Sequence, residues 1–272
     1  MRIFKKIIKK YIEEIKSDDD FNSLTENKFY SNYGYALSTK ELTDTDKQKI
    51  FLHFQYKEKA KIALSVASSY PGGDYFEFGS HDLYTLRNFL SAFDVGNLDI
   101  RFPTTKFYAF DIFGTIEDNE KNYFDKNGYF ENDENYFKNF IKDGDVENKY
   151  YKYLKKYGLF YDRITLVKGF FEKTLPNFKY DGKIGFVCLD CNIIKSYQTV
   201  LNWLEDKLTD GMYIYIDEYF DGVAIKKKKD YQSGIYYLFE DFREKAKSNG
   251  LDIAFVRSAA SVGALFKCFK KY

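Results

Sequence analysis

The chain has 272 residues, 44% hydrophobic and 31% charged, which is enough to bury a sizeable core and too apolar for a disordered chain. Its 42 Lys and Arg against 41 Asp and Glu leave a formal charge of +1, excluding a global field that would draw it to nucleic acid. Three cysteines, Cys188, Cys191 and Cys268, are too few for a disulfide framework, and neither a leader-like apolar run nor a stretch of about 18 apolar residues is present. The expected setting is therefore a reducing cytoplasm, and the abundance of Tyr and Phe beside 3 Pro suits an AT-rich bacterial genome.

Residues 1–16 place Ile3, Phe4, Ile7, Ile8, Tyr11, Ile12 and Ile15 at helical spacing, with Lys5, Lys6, Lys9 and Lys10 mostly elsewhere around the helix. Such a basic amphipathic helix packs on its own domain or on a partner subunit of a homo-oligomer, or lies on an anionic membrane surface. A polar, turn-rich stretch follows, then a long helix over 43–68 built on Ile50, Phe51, Phe54, Ala60, Ile62 and Ala63. Residues 1–70 thus read as an N-terminal helical extension, and 71–272 as the main domain.

Pro71-Gly72-Gly73 ends the helix, and short apolar runs then alternate with helical patterns, the signature of a βαβ sheet. Strands are expected near 74–79, 106–111, 163–167, 184–189 and 212–217, with helices near 83–93, 195–208 and 231–248. The closing strands, 252–257 and 262–269, are separated by too few residues for a parallel crossover and must pair as an antiparallel hairpin. Five parallel strands and such a hairpin make the seven-stranded, mostly parallel sheet of a Rossmann-like class I methyltransferase. Residues 115–162, rich in Tyr, Asn, Lys and Asp, are either a lid over the substrate or a solvated insertion.

Ligands of open α/β sheets bind beyond the carboxyl ends of the strands. There the first strand ends in Glu77-Phe78-Gly79-Ser80-His81. Gly79 permits close backbone approach, and Glu77 can orient the aminoacyl end of a cofactor. A second glycine is absent; Asp82, Leu83 and Tyr84 follow instead. Asp111 ends the second strand, where a carboxylate can accept two ribose hydroxyls or cap a turn. After the third strand, Phe170 or Phe171 can stack near an adenine or join the core. Asp190 ends strand four, and Asp217 and Glu218 end strand five; three carboxylates without thiolate or imidazole suit Mg²⁺ or Mn²⁺, or are strand-end caps. An ion there would hold an acceptor hydroxyl and lower its pKa. His81 either approaches a reacting centre or simply starts a helix, and water or Asp190 can accept the substrate proton. Cys188 and Cys191 have zinc-like spacing but no second pair. Lys226 to Lys229 form either a solvated loop or an anion-attracting patch.

Several of these blocks resemble the macrocin O-methyltransferase family. They are Glu77-Phe78-Gly79, Phe110-Asp111 followed by Phe113, Lys168-Gly169-Phe170-Phe171 with Thr174-Leu175-Pro176, and Asp217-Glu218-Tyr219. The resemblance implies S-adenosylmethionine as cofactor, bound by Glu77, Gly79, Ser80, His81, Asp111, Phe113, Gly169, Phe170, Phe171 and Asp190. It also implies magnesium at Asp190, Asp217 and Glu218, with catalysis by Asp190 and His81. Where the family has Asp-x-Asp-x-Tyr, this chain has Asp190-Cys191-Asn192-Ile193-Ile194, which loses the second acid and the tyrosine. The expected activity is O-methylation of a sugar or other small polar acceptor in bacterial surface-glycan or secondary-metabolite assembly. The competing reading is an inactive glycan-binding protein that kept the fold; a dinucleotide oxidoreductase fits the acids and the terminal hairpin less well.

Overall fold

A computed structural model describes residues 58–80, 83–113, 155, 159–191, 193–220, 231–259 and 263–270. All of them belong to the second of two units, Gln55–Tyr272. The basic segment 1–16, His53, His81, nearly all of the 115–162 insertion and Lys226 to Lys229 lie outside the described residues.

A single seven-stranded sheet organises the unit, in the order β3-β2-β1-β4-β5-β7-β6. Its strands are β1 (Asp74–Phe78), β2 (Phe107–Asp111), β3 (Ile164–Lys168), β4 (Ile184–Leu189), β5 (Tyr213–Ile216), β6 (Leu251–Ala259) and β7 (Gly263–Lys270). The first five run parallel, and β7 is antiparallel to both β5 and β6. Each expected strand is present within a few residues, and so is the closing hairpin. Helix α1 covers 58–68 among the described residues. It is followed by α2 (Tyr84–Val95), α3 (Leu98–Arg101), α4 (Phe171–Thr174), α5 (Ile194–Leu204) and α6 (Tyr231–Ser248).

Strand periodicity sends alternate residues to opposite faces, and a separate core forms on each. On one, Tyr75, Phe107, Ala109, Phe186, Cys188, Tyr213 and Tyr215 pack with Ile62, Ala63 and Val66 of α1 and Leu86, Phe89 and Phe93 of α2. On the other, Phe76, Phe78, Phe110, Val187, Leu189, Ile214 and Ile216 pack with Val200, Leu201 and Leu204 of α5 and Phe239 and Phe242 of α6. The central strands β1 and β4 are buried at nearly every position because both faces are covered, and β4 is apolar throughout.

Chain direction positions the site. Beyond β1 the chain passes to β2 and β3 on one side, then returns to β4 on the other, so the crevice where the connections diverge opens at the carboxyl ends of β1 and β4. Helix α1 precedes β1 through a tight turn and runs back along it. Its rise of about 15 Å over the ten steps from 58 to 68 is close to the roughly 13 Å of the strand. The first described residues of α1 are thereby returned to the carboxyl end of the sheet.

Candidate active site at the strand ends

Backbone hydrogen bonds set the strand-end residues side by side. Gly79 donates its N–H to Phe110 O at 2.9 Å, Gly169 to Asp111 O at 2.9 Å, Asp190 to Phe78 O at 2.9 Å and Asp217 to Leu189 O at 3.0 Å. Each extends the parallel ladder one step past its strand, so the residue types at those steps define the floor of the crevice. Gly79 has φ +85°, and a Cβ on it would lie 2.0 Å from the carbonyl oxygen of Asp190. Close approach of β1 to β4 therefore demands a glycine, whatever binds above it. Ser80 is buried, its N–H bonding Phe110 O and its hydroxyl donating to Glu77 O at 3.3 Å.

The acids are held by tyrosines. Tyr75 donates to Glu77 Oε2, Tyr215 to Asp217 Oδ1, and Tyr197, from α5, to Glu218 Oε2. In the first two pairs the partners are two residues apart on one strand and share a face. Burial first, and then the carboxylate beside it, pushes each of these phenols well above its ordinary range, so the hydroxyls remain protonated donors.

Asp111 stands at the end of β2, partly exposed, and its Oδ1 accepts the N–H of Phe113 at 3.3 Å. Phe113 holds φ +43° with its ring buried in the first core, a left-handed conformation that costs a bulky residue energy and is fixed by packing. At the end of β3, Phe171 enters the second core edge-on to Phe78, with centroids 5.7 Å apart. Phe170 is half-buried, with Lys173 Nζ 5.3 Å from its ring centre. Of the adjacent phenylalanines, only Phe170 faces the open side enough to meet a ligand.

Asp190, Asp217 and Glu218 come together as expected, with one carboxylate oxygen from each lying within 4.8 Å of the others. Between Asp190 and Asp217 stands a residue from outside the strands. Lys59 Nζ, from the first described turn of α1, lies 2.8 Å from Asp190 Oδ2 and 3.3 Å from Asp217 Oδ2. The three side chains are 13%, 19% and 13% exposed for Lys59, Asp190 and Asp217. Burial works against charge on Lys59, but Asp190 and then Asp217 overcome it and hold the ammonium well above the usual lysine range. Burial and then Asp217 push the Asp190 carboxyl up to about 7 despite Lys59. Burial, Asp217 and Asp190 likewise push Glu218 well above the ordinary carboxyl range.

This arrangement does not fit the magnesium or manganese suggested by the carboxylates alone. Magnesium requires near-octahedral oxygens at about 2.0–2.1 Å. Here Asp217 has one oxygen on Tyr215 and the other on Lys59, Asp190 Oδ2 is on Lys59, and Glu218 Oε2 is on Tyr197. A cation already occupies the junction. The zinc spacing is likewise not realised: Cys188 and Cys191 are buried, and Cys191 Sγ donates to Phe78 O at 3.4 Å.

Lys59 had a legible signal. With Ile62, Ala63, Val66 and Tyr70 it completes one helical stripe, so it is a lysine at a core-facing position. The paired tyrosines are visible in Tyr75-Phe76-Glu77 and Tyr215-Ile216-Asp217 once the strand alternation is followed.

Residues 97–236 match the macrocin O-methyltransferase (TylF) family. Among solved structures, the O-methyltransferase NovP superposes with a TM-score of 0.54 at 16% identity, covering 79% of this chain and 80% of NovP. CalS11, calicheamicin methyltransferase, gives 0.52 at 17% identity over 91% of this chain and 92% of its own. No curated protein sequence is significantly similar. The structural likenesses establish a Rossmann-like class I methyltransferase fold ending in an antiparallel hairpin. With just over half its length matched, the chain belongs to the macrocin O-methyltransferase family.

Proposed function

We propose that this protein transfers the methyl group of S-adenosylmethionine to a hydroxyl of a sugar or similarly small, polar acceptor. The observation that carries the reading is Asp111, a partly exposed carboxylate at the end of β2, beside the Gly79 turn at the switch point of a methyltransferase-family sheet. A carboxylate there accepts the paired hydroxyls of a ribose. Glu77 acts from beneath the turn, one oxygen engaged by Tyr75, and supports the aminoacyl end together with Ser80. Phe170 offers a ring face to the adenine, while Gly169, Phe113 and Phe171 shape the walls.

When bound, S-adenosylmethionine supplies an electrophilic methyl group on a sulfonium. The chain contributes position: the strand-end floor holds donor and acceptor in line, and the apolar cores beneath it exclude water. Asp190, at the edge of the crevice, takes the proton released by the acceptor hydroxyl. No role is assigned to a metal in this sequence of events. The acceptor class rests on the family, and a setting in bacterial glycan or secondary-metabolite assembly is part of the same proposal.

Calorimetric titration with S-adenosylhomocysteine tests the cofactor half. Wild type binds, and Asp111→Ala loses at least about tenfold in affinity, near 1.4 kcal/mol. Absence of wild-type binding overturns the reading. Acceptor panels followed by mass spectrometry then test transfer; binding without methylation of any sugar or small polar acceptor would return the chain to a binding role.

A further inference from the structure

We infer that the ammonium of Lys59 takes the place of a divalent cation at the strand-end carboxylates, making this a methyltransferase whose site works without added metal. The inference builds on the proposed methyl transfer but stands on separate geometry. Lys59 is delivered by the helix-turn-strand unit α1–β1, on the face where Asp190 and Asp217 emerge, and its Nζ bridges one oxygen of each at 2.8 and 3.3 Å. The third acid, Glu218, has one oxygen engaged by Tyr197.

An ammonium and a divalent ion competing for the same carboxylate oxygens exclude each other through like charge. They also differ in what they ask of the oxygens. A metal takes lone pairs at close range in fixed directions, whereas a lysine has three rotatable N–H donors on a flexible stem. One of those donors bonds Asp190, and the ammonium pairs with Asp217 through charge. A further N–H can turn to an acceptor oxygen in the crevice and stabilise the negative charge that develops on it. Lys59 thus supplies the compensating positive charge expected of a metal and positions Asp190 for the acceptor proton. The fixed amine also imposes a penalty on any incoming divalent ion, since Lys59 must leave before the acids can converge on it.

Manganese binding to the chelator-stripped full chain, followed by electron paramagnetic resonance and calorimetry, tests this without reference to turnover. Wild type is expected to bind no manganese at the concentrations where metal-dependent enzymes saturate. Lys59→Met, which keeps the stem and removes the charge, is expected to gain a site at least about tenfold tighter. Tight one-to-one manganese binding by wild type overturns the inference, as does a folded Lys59→Met protein that gains none. Should that variant fail to fold, the wild-type titration decides alone. S-adenosylhomocysteine binding in the same samples reports separately on the methyltransferase reading: its loss with the manganese pattern intact defeats only that reading. Its presence beside a manganese-loaded wild type defeats only the role of Lys59.

Discussion

The two faces of the sheet are built from similar ring shapes with different chemistry. Under α1 and α2 the strands present Tyr75, Tyr213 and Tyr215 beside Phe107 and Phe186; under α5 and α6 their buried rings include Phe76, Phe78 and Phe110. The phenyl face is a stack, with Phe78 and Phe110 at 4.8 Å between centroids and Trp203 edge-on to Phe78 at 5.9 Å. The phenol face combines stacking with hydrogen bonding. Tyr75 stacks on Phe89 at 4.7 Å while its hydroxyl reaches Glu77, and Tyr213 receives Lys267 Nζ at 3.0 Å and shares a hydrogen bond with Ser69. A hydroxyl added to a buried ring needs a partner; here two of the partners, Glu77 and Asp217, are acids of the strand-end site. Among the strand rings, one face chiefly stabilises the domain and the other also places charge, while on the phenyl side that task falls to a helix residue, Tyr197, which holds Glu218.

The largest blow to that division comes at the point where both faces meet the crevice. Gly79→Ala drives a methyl group into the Asp190 carbonyl and strains a left-handed residue, and is expected to cost more than about 5 kcal/mol. A soluble variant with a wild-type urea midpoint would show that β1 and β4 can part. Next, Phe78→Ala removes a fully buried ring from the phenyl face and should cost about 3–5 kcal/mol in urea unfolding. Where it folds, it should retain S-adenosylhomocysteine affinity; a selective loss of affinity would blur the contrast between the faces. Tyr75→Phe, on the other face, removes one donor from Glu77 and should cost only about 1 kcal/mol while measurably weakening cofactor binding. Equal effects on stability and none on binding would make Tyr75 merely a core ring. The smallest effect concerns the thiols. Cys188, Cys191 and Cys268 are buried and burial raises each thiol, Cys268 to about 12, so iodoacetamide at mildly alkaline pH should label none of the three before unfolding.

Much of this was legible because strand ends announce themselves. An acid placed directly after a run of buried apolar residues, as in Leu189-Asp190 or Ile216-Asp217, marks where the chain leaves the sheet, and parallel registry brings such residues together. The α/β alternation and the short connection before the last strand likewise announced the parallel strands and the closing antiparallel hairpin. Lys59 was harder because its meaning is tertiary. A stripe at helical spacing shows that the residue faces a core, but which strand ends lie opposite depends on the helix doubling back along β1. The adjacent Phe170 and Phe171 pose the same difficulty in miniature, since neither residue type nor spacing decides which ring turns inward at a turn of four residues.

The contact between Lys59 and Asp190 spans 131 positions of sequence. Joining such distant parts carries a loop-closure cost that local structure does not, so the positive centre of the site is completed only when tertiary closure is complete. A fragment beginning at β1 would contain every carboxylate and lack the amine that balances them. Nor does Lys59 fall within residues 97–236, the portion matched to the family. The family segment and the counter-charge therefore reach the site from separate stretches of the gene, leaving the electrostatics of the crevice open to change from upstream while the matched segment stays as it is.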